Sequence, residues 1–247
     1  FNEAGIQTHM LDRGLNGIRM NPVPADVREL MYKVKKAQGV DITRIFCGLN
    51  DVRNIIPSIQ YAKAAGMIPQ ATMCITYSEV HTADYYINMS EQLIAAGAEE
   101  ICLKDMAGIG RPVMLGKIVK AIKTSHPDII VQYHGHSGPG FSMASMLEVA
   151  KAGVDYLDVA MEPLSWGMVH PDVISVQAML KDAGFNVRVV MTEGAQAFIT
   201  PLTFQALSGL PIGSNGSFYY CSFTDVPNQK IIMSKMGHMR IENPSSC

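Results

Sequence analysis

His134 and His136 stand two residues apart in YHGHSGPG, just after the apolar run DIIVQ. Side chains two apart on a strand point to the same side, so a strand here would present both imidazoles together. Neutral imidazoles suit a divalent transition metal such as Zn, Mn or Co, and two of them make half a site. A surface loop with two histidines would carry the same letters, and spacing leaves both readings open. Lys104 ends a second apolar run, EEICL, and is followed by DMAG. It is either an ion-paired or snorkelling side chain or a functional amine.

Both readings need strands that end at these residues. Short Ile- and Val-rich runs recur along the chain, each followed by a longer stretch of helical spacing, the pattern of βα units on a parallel sheet. Strands are expected at 5–11, 42–49, 69–78, 99–106, 128–136 and 154–161. The intervening helices include PADVRELMYKVKKAQG, VRNIIPSIQYAKAAGM, ADYYINMSEQLIAAGA, MLGKIVKAIKTS and SMASMLEVAKAG, several with Gly near the C-terminus. AKAAG, IAAGA and AKAGVD echo one another where helix hands over to strand, as in a repeated unit. In such folds chemistry gathers at the C-terminal strand ends, which here hold Arg13, Asn50, Lys104, Asp105, His134, His136 and Ser165. A closed eight-stranded barrel needs two more units than these six. Past residue 182 the pattern gives way to a loop-rich tail with SGLPIGSNGS and ENPSSC.

Composition narrows the function classes. At 247 residues, with 48% hydrophobic and 17% charged side chains, the chain suits one globular domain. A net charge of −2 gives no basic footprint for nucleic acid. No apolar stretch approaches the ~20 residues of a membrane helix, and FNEAGIQTHML is not a signal peptide pattern, so a cytoplasmic location is expected. The five cysteines form no CxxC pair and read as free thiols, and the 17 methionines read as packing.

RIFCGLND (44–51), ITYSEVHT (75–82), ICLKDMAG (101–108), the HxH segment and KAGVDYLDVAMEPLSWG (151–167) follow one another in a familiar order. From about residue 10 to 182 the chain resembles the carboxyltransferase domain of biotin-dependent enzymes, namely pyruvate carboxylase, the oxaloacetate decarboxylase α subunit and the transcarboxylase pyruvate subunit. The resemblance implies a TIM (β/α)8 barrel that here starts at about its third strand, lacking the first two βα units. Residues 1–182 would form the partial barrel and 183–247 a C-terminal extension of the same domain.

It also implies roles. His134, His136 and a carbamylated Lys104 would bind the metal. A cationic ammonium cannot bind a metal, whereas its CO2 adduct offers carboxylate-like oxygens. Arg13 of RGLN would hold the substrate carboxylate with its guanidinium fork. Ser165 and His170 would line the side where carboxybiotin enters. The biotin would come from a carrier protein or domain, since no AMKM-type motif occurs here. A biotin carboxylase subunit, a 2-oxo acid substrate and a homo-oligomer complete the expected company.

The chain departs from the family pattern at several points. Met168 aligns with a threonine expected to relay a proton, HGHSGPG stands for HTHDT and lacks the acid beside the histidines, and Cys47 replaces an acidic residue. Three functions stay open: an active carboxyltransferase or decarboxylase, a degenerate structural subunit, and a carbon–carbon lyase of the hydroxymethylglutaryl-CoA lyase type.

Overall fold

The computed structural model describes residues 7–187 and, beyond them, 190–191, 202, 206, 213–214, 230–233 and 238–242. Six βα units occupy the first part: β1 (His9–Asp12), α1 (Ala25–Ala37), β2 (Ile42–Phe46), α2 (Val52–Ala64), β3 (Ile68–Cys74), α3 (Ala83–Ala95), β4 (Glu100–Asp105), α4 (Pro112–Ser125), β5 (Ile130–Gly135), α5 (Ser142–Ala152), β6 (Tyr156–Asp158) and α6 (Val173–Asp182). The six strands are parallel neighbours in chain order. Beyond β6 the sheet continues through His238–Glu242, antiparallel to it, then Lys230–Met233 and Asn186–Val187. Most of the expected extension from residue 183, and the start of the first expected strand, lie outside the described residues.

Helix boundaries follow local chemistry. The Asp51, Thr82 and Asp172 side chains accept backbone N–H groups at the starts of α2, α3 and α6, each satisfying donors that a helix start leaves free. Pro112 opens α4, where its missing N–H costs nothing, and Gly153 closes α5 in the left-handed conformation.

The register divides each strand between two faces. Ile45, Ala71, Ile101, Leu103, Val131, Tyr133 and Leu157 point outward, are fully buried, and meet Tyr32, Ile55, Ile59, Leu93, Leu115, Ile118 and Val149 of the helices. The other face carries Arg44, Gln70, Thr72, Glu100, Lys104, Gln132, His134 and Asp158. A two-sided parallel sheet usually reads as a continuous apolar run, so polar residues on alternate positions mark a face built for something other than packing.

That face is concave. The guanidinium of Arg44 on β2 lies 3.2 Å from the carboxylate of Asp158 on β6. In a flat sheet four strand spacings of ~4.8 Å would hold those backbones ~19 Å apart. The sheet therefore curls about its polar face into a half-barrel, the partial TIM barrel expected from the sequence. Strand ends differ in detail: β6 is three residues long, where eight were expected. Among the described residues no helix is long and apolar enough to cross a membrane.

Candidate metal centre

His134 is the penultimate residue of β5, and His136 follows its last residue, Gly135. Their Nε2 atoms face each other at 3.2 Å. Gly135 between them packs so close to the Tyr133 hydroxyl that a Cβ would overlap it, which explains why this position is not side-chain bearing. The adjoining loop is equally tight: Gly108 has φ +66°, and a Cβ there would stand 2.5 Å from the His136 carbonyl oxygen. The KDMAG loop and the HGHSGPG segment thus touch through backbone. His136 N–H donates to the Asp105 carbonyl at 3.0 Å, and the Asp105 side chain accepts Ile109 and Gly110 N–H groups. Asp105 holds the loop and does not face the histidines.

Asp158 sits behind His134. Its Oδ2 accepts from His134 Nδ1 at 2.5 Å and from Arg44 Nη1 at 3.2 Å, and its Oδ1 accepts from Gln132. Arg44 Nη1 also lies 3.1 Å from His134 Nδ1, but the 2.5 Å contact of Nδ1 with a carboxylate oxygen requires a proton between them, so the proton of His134 is on Nδ1 and the Nε2 lone pair faces the cavity. Burial pushes the His134 pKa down to about 4, outweighing the opposing pull of Asp158, so the ring is neutral at pH 7. His136 is also lowered, first by burial, then by the neighbouring charges of His170 and Lys104. Neutral rings are what a metal requires. Asp158 supplies the acidic support that HGHSGPG lacks in sequence. Its signal in the sequence is a polar residue on the inward parity of VDYLDVAM, and that of Arg44 is the same parity in ITRIF.

Lys104 is the register partner of His134 on β4 and is 5% exposed. Among the described residues it has no carboxylate partner; its ammonium stands 4.4 Å over the Phe46 ring. Burial lowers its pKa, so the uncharged amine that reacts with CO2 is more accessible than in water. The ion-paired reading of Lys104 finds no partner among the described residues.

Arg13 follows β1 in a turn fixed by backbone bonds, Arg13 N–H to Gly17 and Asn16 N–H to Arg13, both 2.8 Å. Asp12 anchors this turn from the helix side, accepting from Gly14 N–H at 3.1 Å, Tyr32 hydroxyl at 3.0 Å and Thr43. Among the described residues no ion pair engages the Arg13 guanidinium. Ser165, in the loop between β6 and α6, has a buried hydroxyl with no hydrogen-bond partner among the described residues. Met168 in the same loop is 77% exposed. His170, expected at the carboxybiotin side, lies beside the histidine pair: candidate ligand atoms of His134, His136 and His170 lie within 4.8 Å of one another.

These residues suit a divalent cation: several imidazole donors, one with its tautomer fixed by a carboxylate, beside a buried amine with no carboxylate partner among the described residues. The arrangement can polarise an oxygen and bind a carboxylate close by.

Comparisons with known proteins identify the family. The HMGL-like family model matches residues 44–168. Pyruvate carboxylase of Schizosaccharomyces pombe is 34% identical over 178 residues, 70% of this chain and 15% of that protein. Mitochondrial pyruvate carboxylase of Rattus norvegicus is 30% identical over 190 residues, 74% of this chain and 16% of that protein. The methylmalonyl-CoA carboxyltransferase 5S subunit of Propionibacterium freudenreichii subsp. shermanii is 34% identical over 181 residues, 73% and 36%. This chain thus spans roughly a seventh to just over a third of the curated relatives it matches. The carboxyltransferase domain of Rhizobium etli pyruvate carboxylase, solved with pyruvate, superposes with a TM-score of 0.68 at 27% identity, covering 82% of this chain and 34% of that one. A tyrosine-to-alanine variant of that domain, also with pyruvate, gives 0.67 at 29%, covering 71% and 30%. With its half-barrel, its polar concave face and these matches, the chain belongs to the HMGL-like family, among the carboxyltransferase domains of the pyruvate carboxylase type.

Proposed function

We propose that this chain is part of a biotin-dependent carboxyltransferase that moves a carboxyl group between carboxybiotin and a 2-oxo acid of the pyruvate/oxaloacetate type. The observation that carries the reading is the pair of facing Nε2 atoms on His134 and His136, backed by Asp158 and flanked on the adjacent strand by Lys104, which has no carboxylate partner among the described residues. His134 and His136 hold a divalent metal, and Lys104 joins them once carbamylated. When bound, the metal supplies Lewis-acid polarisation of the keto oxygen, where negative charge develops as the enolate forms.

The chain's own residues do the rest. Arg13 clamps the substrate carboxylate through its two-pronged donor set, fixing the keto group toward the histidines. Its turn is rigid because Asp12 holds Gly14 from behind. The buried Ser165 hydroxyl, lacking a partner among the described residues, is available to the ureido group of carboxybiotin. In the forward direction the N–CO2 bond of carboxybiotin breaks, a C–C bond forms at the methyl carbon of pyruvate, and the methyl proton ends on the biotin nitrogen. A biotin carrier and a biotin carboxylase are the implied partners.

The test is decarboxylation of oxaloacetate by the full-length protein with and without free biotin. Biotin-stimulated turnover that chelation abolishes and Arg13→Ala weakens, mainly through KM, supports the reading. Turnover of acyl-CoA substrates without biotin would replace it with the lyase reading, and no turnover of either with the degenerate-subunit reading.

A further inference from the structure

His170 enters the site from a part of the chain that the HxH pattern does not announce. It stands 34 residues beyond His136, in the loop between β6 and α6. Its ring packs edge-on to both strand histidines, with centroids 4.4 Å from His134 and 5.0 Å from His136. Its Nδ1 lies 2.8 Å from the carbonyl oxygen of Gly135, the residue between the pair. A carbonyl only accepts, so Nδ1 carries the proton and the lone pair of His170 is on Nε2. Two rings, His134 and His170, therefore have Nε2 lone pairs imposed by partners at their other nitrogen. Candidate ligand atoms of all three rings lie within 4.8 Å of one another, and lone pairs gathered so closely favour a cation or a proton among them.

The loop that delivers His170 is fastened in place. Ser137 N–H donates to Val169 at 2.8 Å, Gly138 N–H to Gly167 at 2.8 Å, and Trp166 N–H to His170 at 2.8 Å. On the far side, Val173 N–H donates to Ala160, and Asp172 caps α6. The third imidazole is thus held by the same backbone that carries the first two, before any ligand arrives.

We infer that His170 is a third metal ligand, so that the cation sits in a set of three Nε2 donors. This rests on the metal reading of the site and goes beyond it: the ligand set implied by the resemblance contains His134, His136 and Lys104, and assigns His170 to carboxybiotin. Three imidazoles favour a borderline cation such as zinc or cobalt over oxygen-seeking manganese or magnesium, and leave a position for substrate. They also tie the loop of Ser165 to metal occupancy.

The experiment compares wild type, His170→Asn, His170→Ala and His136→Ala as full-length proteins, by zinc affinity against a chelating dye and by the visible spectrum of the cobalt-loaded forms. The amide nitrogen of asparagine takes the place of Nδ1 and keeps the Gly135 bond, while removing Nε2. Loss of an outer hydrogen-bond partner costs ~10–100-fold in affinity. A ligand costs more, so His170→Asn should lose over ~100-fold and change the cobalt bands, with circular dichroism unchanged. Wild-type affinity and spectrum in His170→Asn, with binding abolished in His136→Ala, would overturn the third ligand and keep the metal. Weakening in His170→Ala alone would assign His170 to holding Gly135 and overturn the proposal. Absence of zinc binding by the wild type would overturn both readings.

Discussion

Asp158 on β6 accepts a hydrogen bond from His134 on β5 at 2.5 Å while the same oxygen holds Arg44 from β2 at 3.2 Å. One carboxylate therefore orients a candidate ligand and tethers strands that lie four apart in the sheet. Fold closure and site geometry share a residue.

Replacing Asp158 with Asn separates these roles. Metal affinity should fall about 10–100-fold, as for loss of a carboxylate behind a ligating histidine. Breaking the buried pair leaves Arg44 uncompensated at a cost of about 3–5 kcal/mol. Zinc titration and denaturant unfolding of the variant check each part. Unchanged affinity would remove Asp158 from the site.

The depressed pKa of His134 gives a signed pH dependence. The ring binds a proton near 6.5 when unfolded and near 4 when folded. Between these values the unfolded chain holds more protons, so stability rises with pH across the window. The contribution is complete above about pH 6.5 and is lost as pH falls toward 4. Denaturation of metal-free protein at about pH 7, 6, 5 and 4 should show the decline, flattened in His134→Gln.

Asp12 acts with the opposite sign. Burial raises its pKa to about 6, against the hydrogen bonds from Thr43, Tyr32 and Gly14. The folded chain holds more protons between 3.8 and 6, so this group lowers stability as pH rises through that range. Asp12→Asn keeps an acceptor for Gly14 and Tyr32 and removes the charge. The variant should lose this pH dependence and gain stability relative to wild type at about pH 8, measured by thermal unfolding. A destabilised variant under those conditions would show that the charge itself holds the Arg13 turn.

Gly108→Ala tests the backbone contact between the lysine and histidine loops. The added methyl would meet the His136 carbonyl at 2.5 Å in a left-handed conformation. Stability should fall by about 1–3 kcal/mol, and zinc affinity should fall with it because His136 must shift. Affinity unchanged beside lost stability would mean that the strain relaxes away from the site.

The elements legible in the sequence are those written in period. Runs such as EEICLKDM carry both an apolar outward set and a polar inward set, and the helices carry caps and glycine ends. His134, His136 and Lys104 are legible because they end such runs. Asp158 and Arg44 do not read as a support pair, since their meeting depends on sheet curvature, which no local pattern encodes. His170 can be placed in its loop from sequence but not against the histidines. Its position depends on the docking of Gly167 and Val169 onto residues 137–138, a long-range backbone match with no side-chain signature. The glycines of HGHSGPG read as a departure from HTHDT; in the structure, Gly135 is required by the Tyr133 hydroxyl.

The most direct test of a metal centre is elemental analysis of the full-length protein purified without chelator, beside His134→Ala and His136→Ala. One divalent metal ion per chain is predicted in the wild type, with its loss in both variants. Folded wild-type protein without stoichiometric metal, or variants that retain it, would contradict a metal centre at these histidines.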